Sequence, residues 1–139
     1  MSSPLHDWTV AFLDLIDEWN DGLPTAEKLA APASSEAPDP GASPPLPAAQ
    51  AYMFDGAAGQ LDGYAVVDVH FFARKYLDAS RLARSFEQRM MQYPLRVSSN
   101  GSSVLFDQVE TISLPTEIPW VEDNSIRRIQ ATYSVSFRR

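Results

Sequence analysis

The side chains able to make or break bonds are few in this sequence and widely scattered. Only two histidines occur, His6 and His70, and cysteine is absent. Without thiols there is no zinc finger, iron–sulfur cluster, redox dithiol or thiol nucleophile to assemble, and the chain is compatible with folding in a reducing compartment. Asp68 and His70 stand two apart and, with a nearby serine, would imitate a carboxylate-oriented base. No glycine-bounded nucleophile elbow surrounds any serine, so the pair reads as solvated neighbours on a polar strand face. Asp17/Glu18 and Glu122/Asp123 are adjacent in sequence. On a helix such pairs diverge, and in a loop nothing holds them the roughly 5–10 Å apart that paired-carboxylate hydrolysis needs; they read as surface charge. Gly-x-Gly-x-x-Gly, a Gly-Lys-Ser/Thr phosphate loop and His-Glu-x-x-His are all missing. Gly56, Gly59 and Gly63 come nearest to a glycine-rich loop, yet they lead into a strand, whereas phosphate-binding amides belong at a helix N-terminus. The expectation is therefore no catalytic residue, no cofactor-binding residue and no metal ligand: a protein that is not an enzyme.

Charge divides the chain. Residues 1–63 hold ten acidic side chains against the single Lys28, a net of −9, while 64–139 hold eight acidic and ten basic residues, a net of +2. Phosphate binding needs a basic stripe whose counterions are released. Arg127-Arg128 and Arg138-Arg139 are too little for that and read as a solvated strand edge, so specific nucleic-acid binding is not expected. No run of about 18 apolar residues offers a membrane span. The start, Met1-Ser2-Ser3-Pro4, lacks the basic and apolar regions of a secretory signal, which predicts a soluble, unexported chain.

At 139 residues the chain reads as one domain, 1–139. Leu5, Trp8, Phe12, Leu15, Ile16 and Trp19 recur at three and four, one stripe of an amphipathic helix over 5–21 that anchors to a sheet, stopped by Gly22 and Pro24. Seven of the eleven prolines fall between Pro24 and Pro47. Segment 23–48 thus reads as a Pro/Ala-rich loop, with Pro38-Asp39-Pro40 and Pro44-Pro45-Leu46-Pro47 extended and mobile: a linker, or an arm that orders along a neighbouring subunit.

From residue 50 to 139 the pattern is strands and a second helix. Gln50–Asp55 runs to a turn at Gly56-Ala57-Ala58-Gly59. Tyr64–Ala73 then alternates, with Ala65, Val67, Val69, Phe71 and Ala73 on one face and Tyr64, Asp68, His70 and Phe72 on the other, making a hairpin. Asp78 is a plausible N-cap for a helix over 79–92, which ends before Pro94. Asn100-Gly101 sets a tight hairpin ahead of a strand over Val104–Leu114, and Pro115 and Pro119 mark a loop through Asn124. A last strand points Ile129, Ala131, Tyr133, Val135 and Phe137 one way and polar residues the other. The order predicts an α+β domain: a mostly antiparallel sheet with two helices on one face and the Pro-rich loop between helix 1 and the first strand.

The chain from Tyr64 onward resembles a tail terminator protein of long-tailed, non-contractile bacteriophages, particularly those of actinobacterial hosts. The likeness rests on the strand with Val67-Asp68-Val69-His70-Phe71-Phe72-Ala73 leading straight into a helix with Ala79, Leu82-Ala83 and Phe86. It continues through the Asn100-Gly101 hairpin, the Pro115–Trp120 loop and the closing strand Arg127–Arg138. The Pro-rich loop is longer than in that family. The resemblance implies a hexameric ring of identical copies that sits on the last ring of the tail tube, stops its polymerisation and offers the surface for head or neck attachment. Its partners would be other copies of itself, the major tail tube protein and a head-completion or neck protein. Genome DNA would pass the lumen without specific binding, past an acidic wall, in a virion assembled in the host cytoplasm. Another neck, head-completion or tail-tube protein, or a small ligand-binding domain, are the alternatives.

Overall fold

The computed structural model describes residues 4–39, 43–120 and 122–139. The fold is α+β. Helix α1 (Pro4–Asp21) is followed by a 3-10 turn at Thr25–Glu27 and the hairpin β1 (Ala48–Ala58) and β2 (Asp62–Ala73). Then come helix α2 (Tyr76–Met90), the hairpin β3 (Leu95–Ser99) and β4 (Ser102–Glu117), and finally β5 (Arg127–Arg138). The strands form one five-stranded antiparallel sheet in the order β1-β2-β5-β4-β3.

The apolar stripe of α1 does what its spacing dictates: Trp8, Phe12, Leu15, Ile16 and Trp19 are buried, each contributing about 1.5–3 kcal/mol by leaving water. Phe86 of α2 meets them edge-on, with Phe12 at 6.0 Å and Trp19 at 5.2 Å between ring centroids. Helix α1 packs against both edge strands, β1 and β3, and α2 against the three between. Thr9 Oγ1 accepts the Met53 amide of β1, and Asp14 accepts the Ser99 hydroxyl of β3. Helix α1 thus bridges the first and last strands of the sheet.

Several boundaries differ from the sequence reading. Strand β1 runs through Gly56 to Ala58, past an irregularity between Phe54 and Ala57 where Asp55 takes φ +50°; the turn falls at Gly59–Leu61. Helix α2 starts at Tyr76, with Lys75 as an N-cap that offers no side-chain hydrogen bond. Asp78 is no cap. It lies in the first turn, 3.4 Å from Arg81, where its charge suits the helix dipole. Strand β4 continues past Leu114 through Pro115 to Glu117, its register shifting at three places along β5, because an irregular edge tolerates a residue without an N–H.

The first part of the Pro-rich segment, residues 29–34, lies against α1 and β1. Asn20 Oδ1 and Asp17 Oδ1 accept the amides of Leu29 and Ala33, each at 2.8 Å. Ser34 makes a parallel bridge to Gln50, which places residues 29–34 along the outer edge of β1. Leu46 and Ala48 pack against a second small core of Phe72, Trp120 and Ile126 on the other face of the sheet. Pro40 lies outside the described residues.

Candidate interaction surface

The residues that sequence chemistry singles out are not brought into a catalytic arrangement. Asp68 is spoken for: Thr132 donates to its Oδ1 at 2.7 Å and Tyr52 to its Oδ2 at 3.3 Å. His70 is not the solvated neighbour its polar strand face suggests, for it is only 5% exposed. Its ring stacks between Tyr52 at 6.0 Å and Phe72 at 6.2 Å, and neither nitrogen has a hydrogen-bond partner. Burial, then the charge of Arg128, hold its pKa below the ordinary histidine value, with Asp68 opposing them. The second small core, supplied by Trp120, Ile126 and Leu46, sits beside Phe72 on this face, a covering that strand alternation alone does not reveal.

Asp17, read from the sequence as surface charge, is instead partly buried. Asp17 reaches back to the Ala33 amide while Glu18 points to solvent; burial, ahead of any other cause, raises the Asp17 pKa. Asp123 closes a local turn on Ser125, and those two hydrogen bonds lower its pKa. The glycines are steric devices. A Cβ on Gly56 would stand 2.1 Å from the Tyr64 carbonyl oxygen, and one on Gly63 2.7 Å from that of Ala57. Among the described residues no group of three or more His, Cys, Asp or Glu could hold a metal ion, and no helix is long and apolar enough to cross a membrane.

The arginine pairs are less free than a solvated edge would be. Arg127 makes a two-pronged ion pair with Glu117. Arg128 donates to the carbonyls of Ile118 and Pro119. Arg139 lies over the Trp8 ring at 4.4 Å and donates to the Gln60 carbonyl, while its amide bonds the Leu61 carbonyl at 2.9 Å. Trp8 Nε1–H donates to Gly59 O at 2.9 Å. The β1–β2 turn is thus clamped between α1 and the chain's C-terminal residue.

What the surface does offer is exposed apolar side chains: Tyr76 and Leu77 on α2, Met91 and Tyr93 just beyond it, and two further groups on the sheet. At the β1–β2 turn stand Leu61, 74% exposed, and Tyr64, 59% exposed. Beside them a groove is lined by Ala57, Gly63, Tyr64, Ser136 and Arg138. The other place is the far part of β4. Strand β3 pairs only with Ser102–Phe106, so from Asp107 to Glu117 no strand among the described residues lies on that side of β4. Ile112 and Leu114 project there, 56% and 66% exposed. The register puts Tyr64 level with Ser136 near one end of β5, and Ile112 between the Thr111–Tyr133 and Ser113–Thr132 pairs near its middle, on the side of β5 away from β2. The β1 edge, by contrast, is shut by Ser34 and Thr9.

No family model matches this chain. No curated protein matches it either. One solved structure, of a protein designated only by a serial name, aligns over 97% of this chain and 96% of its own at 20% identity and a TM-score of 0.48, a likeness too distant to bear on function.

Proposed function

We propose that this chain is a tail terminator: the subunit of a hexameric ring that caps the tail tube of a long-tailed, non-contractile bacteriophage, stops its growth and presents the surface for head or neck attachment. The observation that carries this reading is a pair of unlike exposed apolar patches on one sheet, Leu61 and Tyr64 at the β1–β2 turn and Ile112 and Leu114 on the unpaired stretch of β4. A single two-fold contact uses one patch twice, whereas a ring needs two different patches on each copy, joined head to tail and closing by rotation. The resemblance from Tyr64 to Arg138 supports the same reading, and so does the α+β arrangement it implies. The acidic first 63 residues, net −9, suit a lumen past which DNA slides by repulsion.

Negative-stain microscopy of the purified protein, alone and with isolated tail tubes of the phage that encodes it, tests the proposal. Sixfold rings seated at tube ends are the expected result. Long tubes formed by the protein itself would identify a tube subunit instead, and copies that remain single beside bare tube ends would refute the ring.

A further inference from the structure

Helix α2 gives one face to the core and leaves the other unpartnered. Ala79, Leu82, Ala83, Phe86 and Met90 are buried, while Leu77, Arg81, Arg84 and Gln88, spaced at four, three and four, form one outward stripe. Leu77 is 75% exposed. Beside it a groove is lined by Ser80 and Ser85 together with Arg81, Arg84 and Gln88. The face is also cationic in an acidic protein. Residues 74–89 hold five basic and two acidic side chains, a net of +3 in a chain of net −7. Of the two acids, Glu87 is turned inward to the Tyr133 and Thr111 hydroxyls, and Asp78 shares Arg81 with Glu27, at 3.4 and 3.3 Å. Arg81 keeps a side chain 43% exposed despite these contacts, and Arg84 is exposed with no ion pair among the described residues.

We propose that this face of α2 docks an acidic segment of another protein that carries an apolar side chain: the apolar group packs on Leu77 in the groove, and the carboxylates around it meet Arg84 and Arg81. An exposed apolar side chain rimmed by polar groups marks a contact for protein, and the cations beside it select the sign of charge that it meets. A phosphate backbone fits this face less well, because it needs a longer run of cations and gives Leu77 nothing to pack on. The buried side of the helix fixes the face before binding, so little affinity is lost to ordering it. The face lies on the helix layer and uses neither apolar patch of the sheet. The proposal therefore goes beyond the ring reading, and its failure would leave that reading standing.

Fluorescence anisotropy with the full chain tests this. The probe is a fluorescein-labelled amphipathic peptide with leucines on one helical side and glutamates on the others. The same peptide with glutamine in place of glutamate is the neutral control, and a labelled DNA duplex is the phosphate control. The acidic peptide should bind, more weakly as salt rises, and both controls should bind about tenfold more weakly or worse. Arg84→Glu should lower its affinity about tenfold or more, Leu77→Ser should lower it as well, and Arg84→Lys should largely retain it. Arg96→Glu, at an exposed arginine on β3, should leave binding unchanged. All the altered side chains are exposed, so the core is untouched, and circular dichroism checks the fold. An acidic peptide that fails to bind, binds no better than its neutral control, or binds Arg84→Glu as well as wild type would overturn the proposal. Tighter binding of the duplex would overturn it in favour of a phosphate surface. Dimers of the protein alone that vanish in Leu77→Ser would overturn it in favour of a second copy.

Discussion

Thr9 Oγ1 accepts the amide N–H of Met53 at 3.1 Å, so a helix hydroxyl closes the outer edge of a strand. Two residues earlier on β1, Ser34 takes the Ala51 amide and gives its own to Ala49. An edge strand with free amides invites pairing with other chains, and here the chain's own residues occupy them. Thr9→Val keeps the shape but leaves a buried N–H without a partner, which should cost about 1–3 kcal/mol. Urea unfolding should show a lower midpoint at unchanged m, largely recovered in Thr9→Ser; a midpoint that does not move would mean the hydroxyl is incidental.

His70 should make stability fall in mild acid. Its folded pKa lies below the ordinary value of 6.5, so between those two values the unfolded chain binds a proton that the native state refuses. Stability is thus complete above about pH 6.5 and is lost as pH drops toward the folded pKa. The groups facing the ring are Asp68 beside it on β2, Tyr52 from β1, Phe72 and the charge of Arg128 on β5. Asp17, with a raised pKa, contributes in the opposite sense, but equally in wild type and variant. His70→Phe, which extends the Tyr52–Phe72 stack without a titrating group, should be the more stable protein at pH 5 and show a flatter profile from pH 7 to 5. Parallel profiles in thermal melts would exclude this role for His70.

What the sequence makes legible follows from short-range periodicity. The three-and-four stripe from Trp8 to Trp19 and the alternation from Ala65 to Ala73 and from Ile129 to Phe137 depend only on local geometry, and they yield two helices, the central strands and the inward faces. Asn100-Gly101 is equally local: φ of +50° and +78° at these two residues suits the tight hairpin turn its side chains favour. Longer-range effects stay hidden. His70 stacks between Tyr52 and Phe72, and Phe72 is itself covered by Trp120 and Leu46 from distant parts of the chain, which no pattern in β2 announces. The prolines of the arm do not show that Asn20 and Asp17 supply acceptors for the Leu29 and Ala33 amides, which dock its first part against α1. The two apolar patches on the sheet are invisible for the same reason, since Leu114 and Leu61 look like ordinary strand and turn residues until the short β3 leaves half of β4 open.

Glu87 joins three elements, and the strength of that joint is measurable. Its carboxylate, on α2, accepts the Tyr133 hydroxyl from β5 with one oxygen and the Thr111 hydroxyl from β4 with the other, the latter at 2.9 Å. Burial, then the hydrogen bond to Glu87 and its charge, hold the Tyr133 phenol well above the usual tyrosine range. A double-mutant cycle with Tyr133→Phe and Glu87→Gln should return a coupling of about 0.5–3 kcal/mol. A phenol whose folded pKa exceeds its unfolded value of 10.0 stabilises fully below pH 10 and loses that contribution as pH rises beyond it. Wild type should therefore lose more stability than Tyr133→Phe between pH 9 and 11; equal losses, or a coupling near zero, would show the three groups to be independent.

Two glycines in hairpins should respond to alanine in opposite degree, for different physical reasons. At Gly56 the backbone has ordinary torsions but no room, because a Cβ would lie 2.1 Å from the Tyr64 carbonyl oxygen and 2.6 Å from the Ala65 Cα, both fixed in β2. Gly101 has room but unusual torsions: nothing lies within 4 Å of its would-be Cβ, and its φ is +78°. Gly101→Ala should cost only the left-handed strain of about 1–2 kcal/mol. Gly56→Ala must push two paired strands apart, and overpacking of this kind costs about 1–3 kcal/mol or more. It should also disturb the groove beside Tyr64 and Gly63, so that Gly56→Ala lowers both the unfolding midpoint and assembly, while Gly101→Ala lowers the midpoint alone. Equal assembly in the two variants would separate the β1–β2 irregularity from the interaction surface and confine Gly56 to a role in folding.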